Sequence, residues 1–181
     1  MNYPEIKSLN DKATKLIVMM HGVGSDGNDL ISLVPYIQNS LKEYHFFSPN
    51  APEEYDMAPF GRQWFSLQDR TPETLIKLAQ KNAPLALEII QAKQKELGLT
   101  NADTILLGFS QGSMMGMYLT LSQNEPFAAM ISFSGMLLPP LKLNNTTTPF
   151  CIIHGEEDDI VCAKESSRAA EYLKDNNIDY Q

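Results

Sequence analysis

The sequence predicts an α/β fold, in which a mostly parallel sheet is covered by helices on both faces. Three observations predict it. Apolar runs of strand length recur along the chain, and segments of helical period separate them. Strands that alternate with helices imply parallel pairing, with both sheet faces covered. The composition is that of a globular protein: 181 residues, 43% hydrophobic and 20% charged, enough for one domain spanning residues 1–181 with a sizeable core.

The first strand is Lys15 to Met20 (KLIVMM), a continuous apolar run that stops at His21-Gly22. From Asp26 to Lys42, Leu30, Leu33, Val34, Ile37 and Leu41 recur at helical spacing, so one amphipathic helix is expected. Asp26 stands at its N-cap position, and Asp29 three residues on makes a near capping box. Tyr44 to Ser48 is the second strand. Pro49 to Thr71 has no clear period and is rich in Pro, Gly and aromatics, which predicts a long and functional loop. Pro72 to Leu97 is helical in pattern, with Pro84 expected to kink or split it and Gly98 to end it. Asp103 to Leu107 is the third strand and Ser113 to Ser122 the helix after it. Phe127 to Ser134 and Pro149 to Ile153 are the fourth and fifth strands. Ala163 to Lys174 is the last helix, and Ile178 to Gln181 looks like the opening of a sixth strand.

Charge and cysteine usage exclude several classes. A net charge of -8 argues against nucleic-acid binding and against a basic membrane-surface patch. The N-terminus lacks the basic start and apolar stretch of a secretory signal, and no apolar run is long enough to span a bilayer. Cys151 and Cys162 are too few for a disulfide framework and form no metal signature, so a reducing cytoplasm and no metal or cofactor are expected.

Three motifs carry chemistry. Gly108-Phe109-Ser110-Gln111-Gly112 follows a strand and opens a helix, the context that a nucleophile elbow requires. The elbow presents the Ser110 hydroxyl at the carboxyl edge of the sheet. His21-Gly22-Val23-Gly24-Ser25-Asp26-Gly27 follows the first strand and lacks the features of a P-loop. Acyl transfer needs two N–H donors aimed at the developing oxyanion, and the amides of Gln111 and Val23 are the candidates. His154 to Val161 (HGEEDDIV) follows the fifth strand and offers Asp158 and Asp159 as acids to orient a histidine; a solvated acidic turn is the competing reading. The aromatics Tyr55, Phe60, Trp64 and Phe65 either wall an acyl chain or cap the core.

The stretches HGVGSDGNDL, GFSQGSMM and HGEEDDIV resemble, in order and separation, the phospholipase/carboxylesterase family, which includes the acyl-protein thioesterases. The resemblance covers essentially the whole chain. It implies a three-layer α/β-hydrolase fold and a serine hydrolase of carboxylic esters or thioesters, without cofactor. Carried over by position, Ser110 is the nucleophile, Val23 and Gln111 are the oxyanion donors, and Asp158 is the triad acid. Trp64 matches an aromatic near the acyl site, and Phe65 adjoins it. Asp159 and Cys162 stand where the family commonly has proline.

The resemblance also implies a triad histidine in a Gly-His-Ser-like turn after one more strand, with a closing helix beyond. The sequence ends at Gln181, and its histidines are His21, His45 and His154, none of which follows the acid. The fold is therefore expected to lack its last strand and helix. Self-association through an exposed sheet edge is expected in consequence. The substrate is expected to be a small-molecule acyl ester or thioester. The alternative is a catalytically dead remnant, or half of a split hydrolase acting only as a binding partner.

Overall fold

The computed structural model describes residues 3–181; Met1 and Asn2, where the stretch read for a secretory signal begins, lie outside them. In chain order the strands are β1 (Glu5–Ile6), β2 (Lys15–Met20), β3 (Tyr44–Phe47), β4 (Glu53–Glu54), β5 (Arg62–Gln63), β6 (Thr104–Phe109), β7 (Ala129–Phe133) and β8 (Phe150–Ile153). The helices are α1 (Gly27–Ile31), α2 (Val34–Ile37), α3 (Pro72–Leu97), α4 (Gln111–Ser122) and α5 (Lys164–Asp175). Six strands form the main sheet in the order β1-β3-β2-β6-β7-β8, and β4 and β5 form a separate antiparallel ribbon. In the main sheet only the β1–β3 pair is antiparallel.

The order follows from alternation along the strands. In β2, Leu16, Val18 and Met20 face one layer, while Ile17 and Met19 face the other. The first layer contains the buried side chains of α3 and α4, with Leu173 of α5. The second contains Leu30 of α1 and Val34 of α2. From β2 the chain moves one way to β3 and then returns past β2 to β6, β7 and β8. The direction reverses between β2 and β6, and a crevice at the carboxyl ends of such a pair is where α/β sheets bind ligands.

Several expectations are corrected. Residues 26–42 do not form one helix. They form α1, α2 and a short 3-10 segment, Gln38–Ser40. Pro35 accounts for the break, because its ring and missing N–H cannot continue a helix, whereas the first turn of a new one tolerates them. Leu33 and Ile37 are consequently exposed. Asp26 does cap α1, accepting from the N–H of Asn28, but Asp29 accepts from the Ser25 hydroxyl and forms no capping box with Asp26. Pro84 does not split α3, which runs unbroken for 26 residues. Pro84 and Gln80, whose carbonyl loses its partner there, both lie on the solvent side. The segment from Pro49 to Thr71 holds the β4–β5 ribbon, and β1 was not apparent in the sequence. At the other end, Tyr180 pairs in parallel with Phe150 and so begins a strand beside β8.

Candidate active site

Ser110 sits at the turn from β6 into α4 with φ 52 and ψ -118, a conformation that a non-glycine residue holds only when its surroundings impose it. The surroundings here are specific. The N–H of Ser110 donates to the carbonyl of Phe133 at 2.9 Å, and the N–H of Met114 donates to the carbonyl of Ser110 at 3.1 Å. A methyl group on Gly112 would lie 2.0 Å from the carbonyl oxygen of Met20, so only glycine lets α4 begin against the end of β2. The loop after β2 comes close to the serine: a methyl group on Gly22 would lie 3.6 Å from Ser110 Cβ. Gln111 is the first residue of α4, so its N–H is among the four at a helix start that have no carbonyl partner within the helix.

The acidic turn is anchored to the same edge. Asp158 Oδ1 accepts from the N–H groups of Ile160 at 3.0 Å and Val161 at 2.9 Å. The Ser134 hydroxyl also donates to this carboxylate. The Val161 amide, the Ser134 hydroxyl and the Ile160 amide, in that order, hold the carboxyl below the usual aspartate range, so it is ionised at neutral pH. Asp159, the other acid left open by the sequence, points to solvent. Ser134 follows Phe133 directly, and its N–H donates to Ile153 at 2.9 Å. The end of β7 therefore touches both Ser110 and Asp158. Ser134 escaped the sequence reading, although its Ser134-Gly135 pair at a strand end is a turn signal.

The three histidines are each engaged elsewhere. His21 is fully buried; its Nδ1–H donates to the carbonyl of Gly22 at 2.7 Å, and its Nε2 accepts from the Ala51 N–H at 3.0 Å. Burial pushes its pKa below the usual histidine value, so it is neutral. His45 lies in β3 with Nε2 2.9 Å from Glu5 Oε2. His154 donates from Nε2 to the Val161 carbonyl at 2.7 Å, and its Nδ1 accepts from the Ser166 hydroxyl. That same Nε2 is 3.5 Å from Asp158 Oδ2, so His154 braces the acidic turn from within.

Trp64 and Phe65 are core residues, 1% and 0% exposed, so neither ring offers a surface to an acyl chain in this structure. The exposed apolar residues of that loop are Met57 and Phe60. Phe60 and Gly61 line a shallow groove of about 590 Å³ beside Gly24 and Ser25. A second groove, about 1210 Å³, lies between β1, the end of β3 and α3, and none of Ser110, Val23, Gln111 or Asp158 lines it. Among the described residues, no three His, Cys, Asp or Glu side chains are grouped to hold a metal ion, and no helix is long and apolar enough to cross a membrane.

Comparison with known proteins gives a consistent result. The model of the phospholipase/carboxylesterase family matches residues 1–181. Esterase YpfH of Escherichia coli (strain K12) is 26% identical over 177 residues, covering 93% of this chain and 72% of that protein. Acyl-protein thioesterase 1 of Emericella nidulans is 26% identical over 189 residues, covering 93% of this chain and 79% of the relative. The crystal structure of esterase PE8 superposes with a TM-score of 0.92 at 35% identity, covering 99% of this chain and 86% of that one.

Proposed function

Because this chain belongs to the phospholipase/carboxylesterase family, and is by membership a hydrolase with an α/β-hydrolase fold, we propose that it cleaves carboxylic esters or thioesters through an acyl-enzyme on Ser110. The Ser110 oxygen attacks the acyl carbonyl, and the N–H groups of Val23 and Gln111 receive the oxyanion that forms. The alcohol or thiol leaves with a proton, and water then releases the acid. Asp158 is the carboxylate that orients the imidazole base of this cycle. One observation carries the reading: a serine held at φ 52 stands at the β2–β6 switch point with a glycine-rich loop beside it. The alcohol or thiol portion of the substrate is left unspecified by these residues. The proposed compartment is the cytoplasm, in keeping with two free cysteines.

The base is none of the three histidines of residues 1–181, whose rings are held as described above. Full turnover therefore requires an imidazole supplied to Asp158 from outside these residues. Asp179 to Gln181 pair in parallel with β8, the strand that leads to the turn carrying Asp158. The same histidine placement supports a second reading, in which these residues form a folded partner without turnover of their own. Loss of the histidine from a serine triad lowers turnover about a millionfold.

Two assays decide between these readings: phosphonylation of Ser110 by a fluorophosphonate, and hydrolysis of a short p-nitrophenyl ester. Both are expected to vanish in Ser110→Ala. Both assays are run with imidazole added as the missing base: labelling or turnover by residues 1–181 that needs the imidazole and is lost in that variant supports the enzyme, whereas a folded sample that neither labels nor turns over even then supports the partner reading.

A further inference from the structure

Trp64 is buried, yet it bonds to both halves of the oxyanion site. Its indole Nε1–H donates to the carbonyl of His21 at 2.9 Å, two residues before Val23. Its backbone N–H donates to Gln111 Oε1, also at 2.9 Å. The residues around it strengthen both grips. Gln111 Nε2 donates to the Phe65 carbonyl at 2.6 Å. The Gly24 N–H donates to the Arg62 carbonyl at 2.8 Å, and the Arg62 N–H donates to the Ser25 carbonyl at 2.8 Å. Asn82 Nδ2 donates to the Trp64 carbonyl at 2.8 Å and so ties this segment to α3. A methyl group on Gly61 would lie 2.2 Å from the Gly24 carbonyl oxygen, so the two segments touch along their backbones.

Val23 is thus gripped on both flanks by residues 62–64, and Gln111 is gripped through its side chain by residues 64–65. We propose that Trp64 is a positioning residue that fixes the separation of the Val23 and Gln111 amides, acting behind the site and not as a wall for the acyl chain. The inference rests on the reading of those amides as the oxyanion hole. Its physical basis is the tight distance such a hole demands, with donors about 2.7–3.1 Å from the oxyanion. The two donors differ in rigidity. Gln111 is carried by a helix, whereas Val23 lies between Gly22 and Gly24 and has little stiffness of its own. A displacement of about 1 Å at a reacting centre lowers rate on the order of a hundredfold. A bonded indole that spans to the loop removes that freedom.

The test compares the intact chain with Trp64→Phe, which keeps an aromatic ring and removes the indole N–H. Phe46→Leu, in the core layer of α1 and α2, serves as a destabilised control. Native-state amide exchange is the first readout. Trp64→Phe is expected to accelerate exchange at Gly24 and Ser25 about tenfold or more, with Leu106 in β6 unchanged. Unchanged exchange at Gly24 and Ser25, or equal acceleration along the whole chain as in Phe46→Leu, overturns the inference. The second readout is phosphonylation of Ser110, separated into the maximal rate and the fraction of protein that labels. Positioning lowers the maximal rate about tenfold at full labelled fraction, whereas a merely structural role lowers the fraction alone and overturns the inference. The labelling is run with imidazole added as base for Ser110; if the unsubstituted chain still does not label, the proposed function has failed, and the exchange data still decide whether Trp64 braces the loop. Should Trp64→Phe not fold, Gln111→Met breaks the other arm of the brace, and exchange at Gly24 and Ser25 is read in the same way.

Discussion

His21 lies beneath the loop that carries Val23, and it lies there as a neutral ring. Its burial, which disfavours the charged form, holds the imidazole pKa below the ordinary histidine value of 6.5. The unfolded chain then binds a proton more readily than the folded one, so stability is unaffected above pH 6.5 and falls as pH drops through that value toward the folded pKa. We expect the melting temperature to decline between pH 7 and pH 5, and His21→Asn, which keeps an acceptor for the Ala51 N–H, to start lower and decline less. Equal slopes in the two proteins would contradict this. Asp158 changes stability in the same direction: its folded pKa is depressed, so its contribution is present above the ordinary aspartate value of 3.8 and lost as pH falls through the folded pKa. Ser110, Val23, Gln111 and Asp158 were legible as candidates because their chemistry is written in local spacing around glycines and strand ends. The surroundings of Trp64 were not legible, because its partners His21, Asn82 and Gln111 lie 43, 18 and 47 positions away in the chain.

The elements were legible where an apolar run was continuous, as in β2, whose bounds in the structure match the run Lys15 to Met20. They were obscured where proline met a helical period. Pro35 breaks residues 26–42 into pieces, while Pro84 sits within an unbroken α3. The difference lies in support. Leu75, Ala79, Ala83, Ala86 and Ile90 bury one face of α3 on both sides of Pro84, so packing outweighs the lost hydrogen bond. The shorter pair is anchored by the buried Leu30 and Val34 and the partly buried Ile31. The two-residue strands β1, β4 and β5 are too short to leave a period in the sequence. Pro84→Ala restores the N–H to an exposed helical position, and it is expected to raise the unfolding free energy by about 1–3 kcal/mol after the unfolded-state term is subtracted. Chemical denaturation measures this. A loss of stability would mean that the proline ring shapes α3 in a way its solvent position does not suggest.

The two faces of the sheet are unequally covered. The face packed by α3 and α4 is closed over β2, β6 and β7. On the other face α1 and α2 cover β2 and β3, and across β6, β7 and β8 the residues Leu107, Phe109, Ile131, Phe133, Cys151 and Ile153 remain half-buried or exposed. Registered pairing places them side by side, with Leu107 opposite Ile131, Phe109 opposite Phe133, and Phe133 opposite Ile153. A contiguous apolar patch of this kind promotes association. Sedimentation velocity is expected to show concentration-dependent association that Ile153→Lys weakens, and a monomer at all concentrations would contradict it. The same edge carries the centre of the account, a strained serine proposed to act with the amides of Val23 and Gln111. The most direct test is a crystal structure of the protein phosphonylated by a fluorophosphonate. The account predicts a phosphorus bound to the Ser110 oxygen, with one phosphonyl oxygen about 2.7–3.1 Å from the N–H nitrogens of both Val23 and Gln111. An adduct on another residue, or one whose oxygens point away from both amides, would contradict it.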